Sequence, residues 1–306
     1  MSNILEVQNV VKQYGEYVAL NKISLTIPRG SIYGLLGPNG AGKTSLIRII
    51  NQITMPDSGN VIFDGEKLQP HHVQYIGYLP EERGLYKSMK VGEQCLYLAQ
   101  MKGLSKAEAT KQLQYWFERL EIQGWWNKKI QELSKGMAQK IQFVVCVLHK
   151  PKLLIFDEPF SGFDPVNASI ITNEILELQR QGSTIIFSTH RMESVEELCD
   201  HIALIHQSNK LIEGKLTDVK KQYRTNSFEV GILTDNVEGL MYDITQKFTV
   251  GQTNFKSLND ELKLEIQLGN SAPNELLNLL TQRGQVTHFL EKIPSVNDIF
   301  IKTVSQ

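Results

Sequence analysis

Eight consecutive residues, Gly37-Pro38-Asn39-Gly40-Ala41-Gly42-Lys43-Thr44, have the composition of a cradle for a phosphate group. They follow the form G-x-x-x-x-G-K-[ST]. An apolar run, Ile32–Leu36, precedes them, and a helix-like stretch opens at Ser45. Each residue type has a task there. Glycines let successive backbone N–H groups curl around a phosphate with no Cβ in the way. The helix N-terminus adds its positive end. Lys43 would reach the terminal phosphates of a nucleotide, and the Thr44 hydroxyl would ligate Mg²⁺. The contact set for the nucleotide is then Gly37 through Thr44, with Ser45.

A second segment supplies carboxylates. Leu153-Leu154-Ile155-Phe156-Asp157-Glu158-Pro159 is four apolar residues and then two acids. A buried strand that delivers Asp157 at its carboxyl end suits a site in the crevice beyond the strand ends. Asp157 would hold Mg²⁺, and Glu158 would orient and deprotonate an attacking water. Alone, such a run is a strand followed by an acidic turn. Downstream of a phosphate loop it completes a pair fitted to hydrolyse ATP.

The elements that must position these residues alternate along the first two-thirds of the chain. Strand-like runs are Ile23–Ile27, Ile32–Leu36, Val61–Phe63, Ile76–Leu79, Leu153–Phe156, Ile185–Ser188 and Ile202–Ile205. Helix-like stretches fall at Gly42–Ile53, Val91–Lys102, Lys106–Leu120, Met137–His149, Val166–Arg180 and Met192–Cys199. The pattern predicts an α/β fold with a mainly parallel sheet. Consecutive helices interrupt it, as an inserted helical subdomain over about 87–149 of an ATPase domain spanning 1–221. A small α+β domain follows over 222–306. Its strands are Ser227–Leu233, Leu262–Leu268 and Val286–Leu290, and its helices Pro273–Arg283 and Ser295–Val304.

Several motifs in one order resemble the ABC ATPase family over about Ile4 to Lys215. Leu133-Ser134-Lys135-Gly136-Met137 is similar to the family signature, usually Leu-Ser-Gly-Gly-Gln. Ser161-Gly162-Phe163-Asp164 resembles its D-loop, and His190 its switch histidine, a γ-phosphate contact. Tyr14 sits where an aromatic residue stacks on adenine; by itself it reads equally as part of a strand surface. The resemblance implies that two subunits pair head to tail. Ser134 and Gly136 of one would then face the phosphate held by Lys43 of the other, and Asp164 would couple the two sites.

Two motifs depart from the family pattern. Lys135 and Met137 replace Gly and Gln in the signature; a lysine there either adds positive charge near the phosphates or faces solvent. In Ile76-Gly77-Tyr78-Leu79-Pro80-Glu81-Glu82-Arg83, Glu81 takes the place of the Q-loop glutamine and becomes a third candidate Mg²⁺ ligand. The overall organisation resembles bacterial export-type subunits, the NatA-like group, which carry a C-terminal domain of unknown function. That domain reads as a dimer-stabilising or regulatory module.

The bulk composition limits the partners. Thirty-two basic residues stand against 33 acidic ones, for a net charge of −1. That is no nucleic-acid footprint. The longest apolar run in a helical stretch, Phe143–Leu148, is too short to span a bilayer, and the N-terminal residues do not read as a secretory signal. Three widely spaced cysteines fit a reducing cytosol. The expectation is a cytoplasmic ATPase on the inner face of the membrane, held there by a separate permease and paired with a second copy or a paralogue. The other reading is a soluble ABC ATPase acting in cofactor assembly or on ribosomes.

Overall fold

The computed structural model describes residues 2–81, 84–256 and 261–305. The chain divides into two compact units, Met1–Thr217 and Asp218–Gln306. The first unit begins with β1 (Asn3–Tyr14), β2 (Tyr17–Pro28), β3 (Ile32–Leu36) and α1 (Lys43–Ile50). Then come β4 (Ser58–Phe63), β5 (Glu66–Lys67), β6 (Ile76–Leu79), α2 (Val91–Met101), α3 (Lys106–Arg119) and α4 (Lys135–Val147). It closes with β7 (Leu153–Asp157), α5 (Pro165–Arg180), β8 (Thr184–Thr189), α6 (Met192–Leu198), β9 (His201–His206) and β10 (Asn209–Lys215).

Six strands form one sheet in the order β10-β9-β3-β8-β7-β6. All neighbours pair in parallel except β10, which runs antiparallel to β9. Every residue of β3, β7 and β8 is buried. Parallel strands covered on both faces read as continuous apolar runs, which is why these were legible in the sequence.

A second sheet, β2-β1-β4-β5, is antiparallel throughout. The alternating pattern did not predict it. Its central strand β1 buries Leu5 and Val7, then Val10, so the inward phase slips by one residue. The register shifts between Val7 and Val10, where Asn9 takes a φ of +49°. A bulge of this kind breaks the period-two alternation by which a strand is recognised.

In the helical part, the Trp116 ring of α3 meets Phe143 of α4 edge-on at 5.8 Å. Phe143 in turn stacks at 5.8 Å on Phe156 of β7. This aromatic chain ties α3 and α4 to the central sheet.

α7 (Leu216–Gln222) carries the chain into the second unit. That unit contains β11 (Ser227–Leu233), α8 (Val237–Thr245), β12 (Thr249–Gln252), β13 (Leu262–Gln267), α9 (Pro273–Arg283), β14 (Gln285–Glu291) and α10 (Val296–Val304). Its sheet is antiparallel, in the order β12-β13-β11-β14. α8 and α9 bury Leu240, Ile244, Leu276 and Leu280 against Phe228, Val230, Ile232 and Ile266 of the sheet.

The sequence pattern missed α8. Val237, Gly239, Ile244 and Thr245 are all poor helix formers, so only packing and the Asn236 N-cap hold it. The packing makes a prediction. Leu240 is fully buried, so Leu240→Ala should cost about 2–5 kcal/mol. Chemical denaturation followed by circular dichroism measures this, and a change below about 1 kcal/mol would reject the packed helix.

Candidate functional site

Parallel pairing decides where the candidate residues meet. It sets Leu36 beside Thr189, Ser188 beside Asp157, and Phe156 beside Leu79. The carboxyl ends of β3, β8, β7 and β6 therefore open on one edge. The segments that leave them carry the phosphate loop, His190, Glu158 and Glu81 respectively.

The loop after β3 needs its glycines. Gly42 has a φ of +114°, and a Cβ there would stand 2.3 Å from the Ala19 carbonyl oxygen. Gly37 has a φ of +146°, and its Cβ would stand 2.1 Å from the Ile205 oxygen. By contrast, nothing lies within 4 Å of the Cβ position at Gly40, so that face of the loop is open. Gly42 is also the N-cap of α1 and offers no side-chain acceptor. The first amides of α1, at Lys43, Thr44 and Ser45, thus have neither an intrahelical nor a capping partner. An uncapped helix start beside an open loop face fits an anionic phosphate.

Lys43 is buried, and its Nζ donates to the carbonyls of Gly37 at 2.7 Å and Pro38 at 3.1 Å. Burial lowers its pKa, while Glu158, Asp157 and Glu81 pull it back up. All three predicted carboxylates therefore act on this one ammonium. Asp157 is only 3% exposed. Burial raises its carboxyl above the usual range, Ser188 opposes the rise, and Glu81 and Glu158 add to it. Thr44, Asp157 and Glu81 offer oxygen donors only, a set suited to a hard dication such as Mg²⁺. Glu82 and Arg83 of the same sequence segment lie outside the described residues.

Glu158 is held from several directions. Its backbone sits at a φ of +50°, unusual for a residue with a side chain. Its N–H donates to the Ser188 oxygen at 2.9 Å. Its Oε1 accepts from the His190 backbone N–H at 2.8 Å and lies 2.6 Å from His190 Nδ1, which donates to it. Its Oε2 accepts from Thr189 Oγ1 at 3.1 Å. The structure therefore brings Glu158 and His190 together directly. The sequence reading missed Thr189 and Ser188. The one signal for them is that they directly precede His190 at the end of the strand.

Tyr14 is 44% exposed at the end of β1, opposite Tyr17 across the turn. The sequence reading did not single out Tyr17, but its hydroxyl donates to the Gly40 carbonyl at 2.6 Å. That bond seats the β1–β2 turn, and Tyr14 with it, beside the phosphate loop.

Ser134, Gly136 and Asp164 form a separate group. α4 begins at Lys135, two residues before the predicted start at Met137, because Ser134 caps it by accepting from the Met137 N–H at 3.2 Å. Asp164 caps α5, accepting from the Asn167 backbone N–H at 3.0 Å. The two helix starts are joined. Gln139 Nε2 donates to the Ser161 carbonyl, and the Lys135 side chain crosses Gly162 where a Cβ would lie. Among the described residues, no hydrogen bond or ion pair links Ser134, Gly136 or Asp164 to Lys43, Asp157 or Glu158.

Comparison with known proteins agrees with this geometry. Residues 20–161 match the family described as ABC transporter. Residues 214–304 match the C-terminal domain of DrrA1-3-like ATP-binding proteins. The uncharacterized ABC transporter ATP-binding protein YhaQ of Bacillus subtilis is 41% identical over 98% of both chains. The ABC transporter ATP-binding protein NatA of the same organism is 34% identical over 72% of this chain and 92% of its own length. A solved ATP-binding subunit of an ABC transporter superposes with a TM-score of 0.67 at 31% identity, covering 72% of this chain and 93% of that one.

The crowding at Asp157 is testable without ligand. A carboxyl whose folded pKa lies above its unfolded one stabilises the fold at low pH. That contribution is lost as pH rises through the folded value, above which the ionised Asp157 is a burden despite the opposing Lys43. Asp157→Asn should raise the nucleotide-free melting temperature by about 2–4 °C for each kcal/mol relieved, while abolishing turnover. A lower melting temperature would reject the crowding.

Proposed function

Because the chain belongs to the ABC transporter family of ATP-binding subunits, we propose that the residues at this sheet edge power a separate membrane permease, in the direction of export. The protein binds and hydrolyses ATP as the nucleotide-binding subunit of an ABC transporter. What carries the assignment of roles is Glu158, one carboxylate oriented by Thr189 and His190 beside the phosphate loop.

In this reading Gly37, Pro38, Asn39, Gly40, Ala41, Gly42 and the α1 start at Lys43, Thr44 and Ser45 receive the phosphates of ATP. Lys43 leaves its two carbonyls for the terminal phosphates, and Tyr14 stacks on adenine. Glu158 accepts the proton of the attacking water, and His190 fixes its carboxylate and contacts the γ-phosphate. Thr44, Asp157 and Glu81 hold Mg²⁺, which would offset the phosphate charge as the bond breaks. Three carboxylates around one lysine favour a bound dication.

Ser134 and Gly136 make no hydrogen bond or ion pair with their own chain's phosphate loop among the described residues. This supports their facing the nucleotide of a second copy or a paralogue, head to tail, with Asp164 between the two sites. No helix of the described residues is long and apolar enough to cross a membrane. In this reading the permease is a separate chain, and the protein sits at the inner face of the cell membrane through it. A net charge of −1 argues against a nucleic-acid partner. The relatives are ABC transporter proteins, which favours transport over the soluble alternative.

Glu158→Gln tests both the chemistry and the pairing. The variant should bind ATP, lose hydrolysis by about a hundredfold or more, and accumulate as a dimer on gel filtration. Recovered from detergent-solubilised native membranes with ATP, it should carry a polytopic membrane protein in stoichiometric amount. Turnover at the wild-type rate would reject the general base. Ribosomal or assembly proteins in place of a membrane protein would reject the permease. Tyr14→Ala should raise the KM for ATP with little change in kcat; a large fall in kcat at unchanged KM would reject stacking.

A further inference from the structure

The end of β1 that carries Tyr14 outruns its neighbour in the sheet. β4 pairs with β1 only as far as Val11, which lies opposite Ser58. Lys12, Gln13 and Tyr14 have no strand on that side among the described residues. Asp57, the residue before β4, takes up the gap. Its backbone N–H donates to the Val11 carbonyl at 2.9 Å. Its Oδ2 accepts from the Gln13 backbone N–H at 2.6 Å, and its Oδ1 accepts from Lys12 Nζ at 2.8 Å. One residue thus grips three in succession, and Tyr14 is the next.

The lysine so held is aimed. Its Nζ lies over the Tyr14 ring, 5.4 Å from the centroid, within reach of a cation–π contact. Only 13% of the Lys12 side chain is exposed, so it does not sweep through solvent. Its bond to Asp57, and then the Gln13 N–H, hold the Asp57 carboxyl below the usual carboxylate range, so the acid is charged at neutral pH. Exposed ion pairs add little to stability. What this one fixes is orientation. The β1–β2 turn is therefore fastened on both sides of Tyr14, by Asp57 to Lys12 and Gln13 and by the Tyr17 hydroxyl to the Gly40 carbonyl.

We propose that Asp57 is a positioning residue of the adenine site. Its carboxylate holds Lys12 against one face of the Tyr14 ring and leaves the opposite face for the base. This rests on the reading of Tyr14 as the adenine stack. It adds the groups that place the ring and the face that the base takes. A ring fixed before the nucleotide arrives stacks without first being ordered, which removes a cost of binding. The phosphates are received by a different segment, Gly37 to Thr44. Loss of Asp57 is therefore felt by ligands that carry a base and not by a bare phosphate chain.

Calorimetric titration of the full chain with Mg-ADP and with inorganic pyrophosphate separates the two effects. Asp57→Ala should weaken ADP roughly three- to tenfold and change pyrophosphate by less than about twofold. In a Tyr14→Ala background the same change should cost ADP nothing further, because the ring it positions is gone. Lys12→Met keeps the apolar stem and the grip on Gln13 but removes the charge. It should reproduce part of the ADP loss, and it decides the question if the alanine variant does not fold by circular dichroism.

Unchanged ADP affinity in these variants overturns the proposal. So does an equal loss for ADP and pyrophosphate, which would mark a general loosening of the fold, or a full additional loss on top of Tyr14→Ala. The underlying reading fails separately. If Tyr14→Ala alone leaves ADP affinity unchanged, the stacking assignment is wrong and the positioning role goes with it. If Tyr14→Ala weakens ADP while Asp57→Ala and Lys12→Met do not, the stack stands and Asp57 does not place it.

Discussion

The site depends on one constraint, the in-register parallel pairing of β3, β8 and β7. A buried parallel strand cannot slip by one residue without turning its whole apolar face about. Here the register is fixed by strands buried on every residue. Once it is fixed, Thr189 lies beside Leu36 and Ser188 beside Asp157. The phosphate loop, the acid pair and the histidine then arrive at one edge with no further device. The aromatic contact from Phe156 to Phe143 and Trp116 ties the helical part to the same strands.

This is also why the site was legible in the sequence and much of its support was not. Gly37–Thr44, Asp157-Glu158 and His190 are local words at the ends of continuous apolar runs. Two of the apolar runs, Ile32–Leu36 and Ile76–Leu79, coincide with the observed strands residue for residue, and Leu153–Phe156 and Ile185–Ser188 fall within one residue of theirs at each end. The second sheet was only partly legible: the runs Ile23–Ile27 and Val61–Phe63 fall within β2 and β4, but β1 is bulged and β5 is two residues long. β10 escaped because none of its residues is fully buried, with Gly214 and charged residues along it. β12, with its single half-buried valine, gave no pattern. Thr189 could not be seen as a partner of Glu158, since that bond joins the ends of two strands 31 residues apart.

Lys135 shows how a departure from the family pattern acquires a meaning from packing. Sequence alone left it either near phosphate or in solvent. In the structure its stem passes over Gly162, a residue at a φ of +91° whose missing Cβ leaves the room. With the bond from Gln139 to Ser161, the start of α4 is fastened to the segment between Glu158 and Asp164. The helix start and that loop cannot move independently without breaking both contacts.

β6 is where these parts share a backbone. Among the described residues it is an edge strand, paired only with β7. At one end, the Ile76 carbonyl receives Lys102 and His149. In the middle, Gly77 lies so close under α4 that a Cβ would stand 2.4 Å from the Cys146 oxygen. Tyr78 feels Asp157 and Glu81, its hydroxyl pushed up to about 12 by burial first and those charges second. Beyond Leu79 the chain reaches Glu81. At about 3.3 Å per residue, the lysine-bound end and the site end lie on the order of 10 Å apart along one strand. Among the described residues only one of its edges is hydrogen-bonded to the sheet, so a load applied at Ile76 passes to β7, to α4 and to the groups bonded at that carbonyl. It also reaches Glu81 through covalent backbone, with no chain of side-chain contacts required.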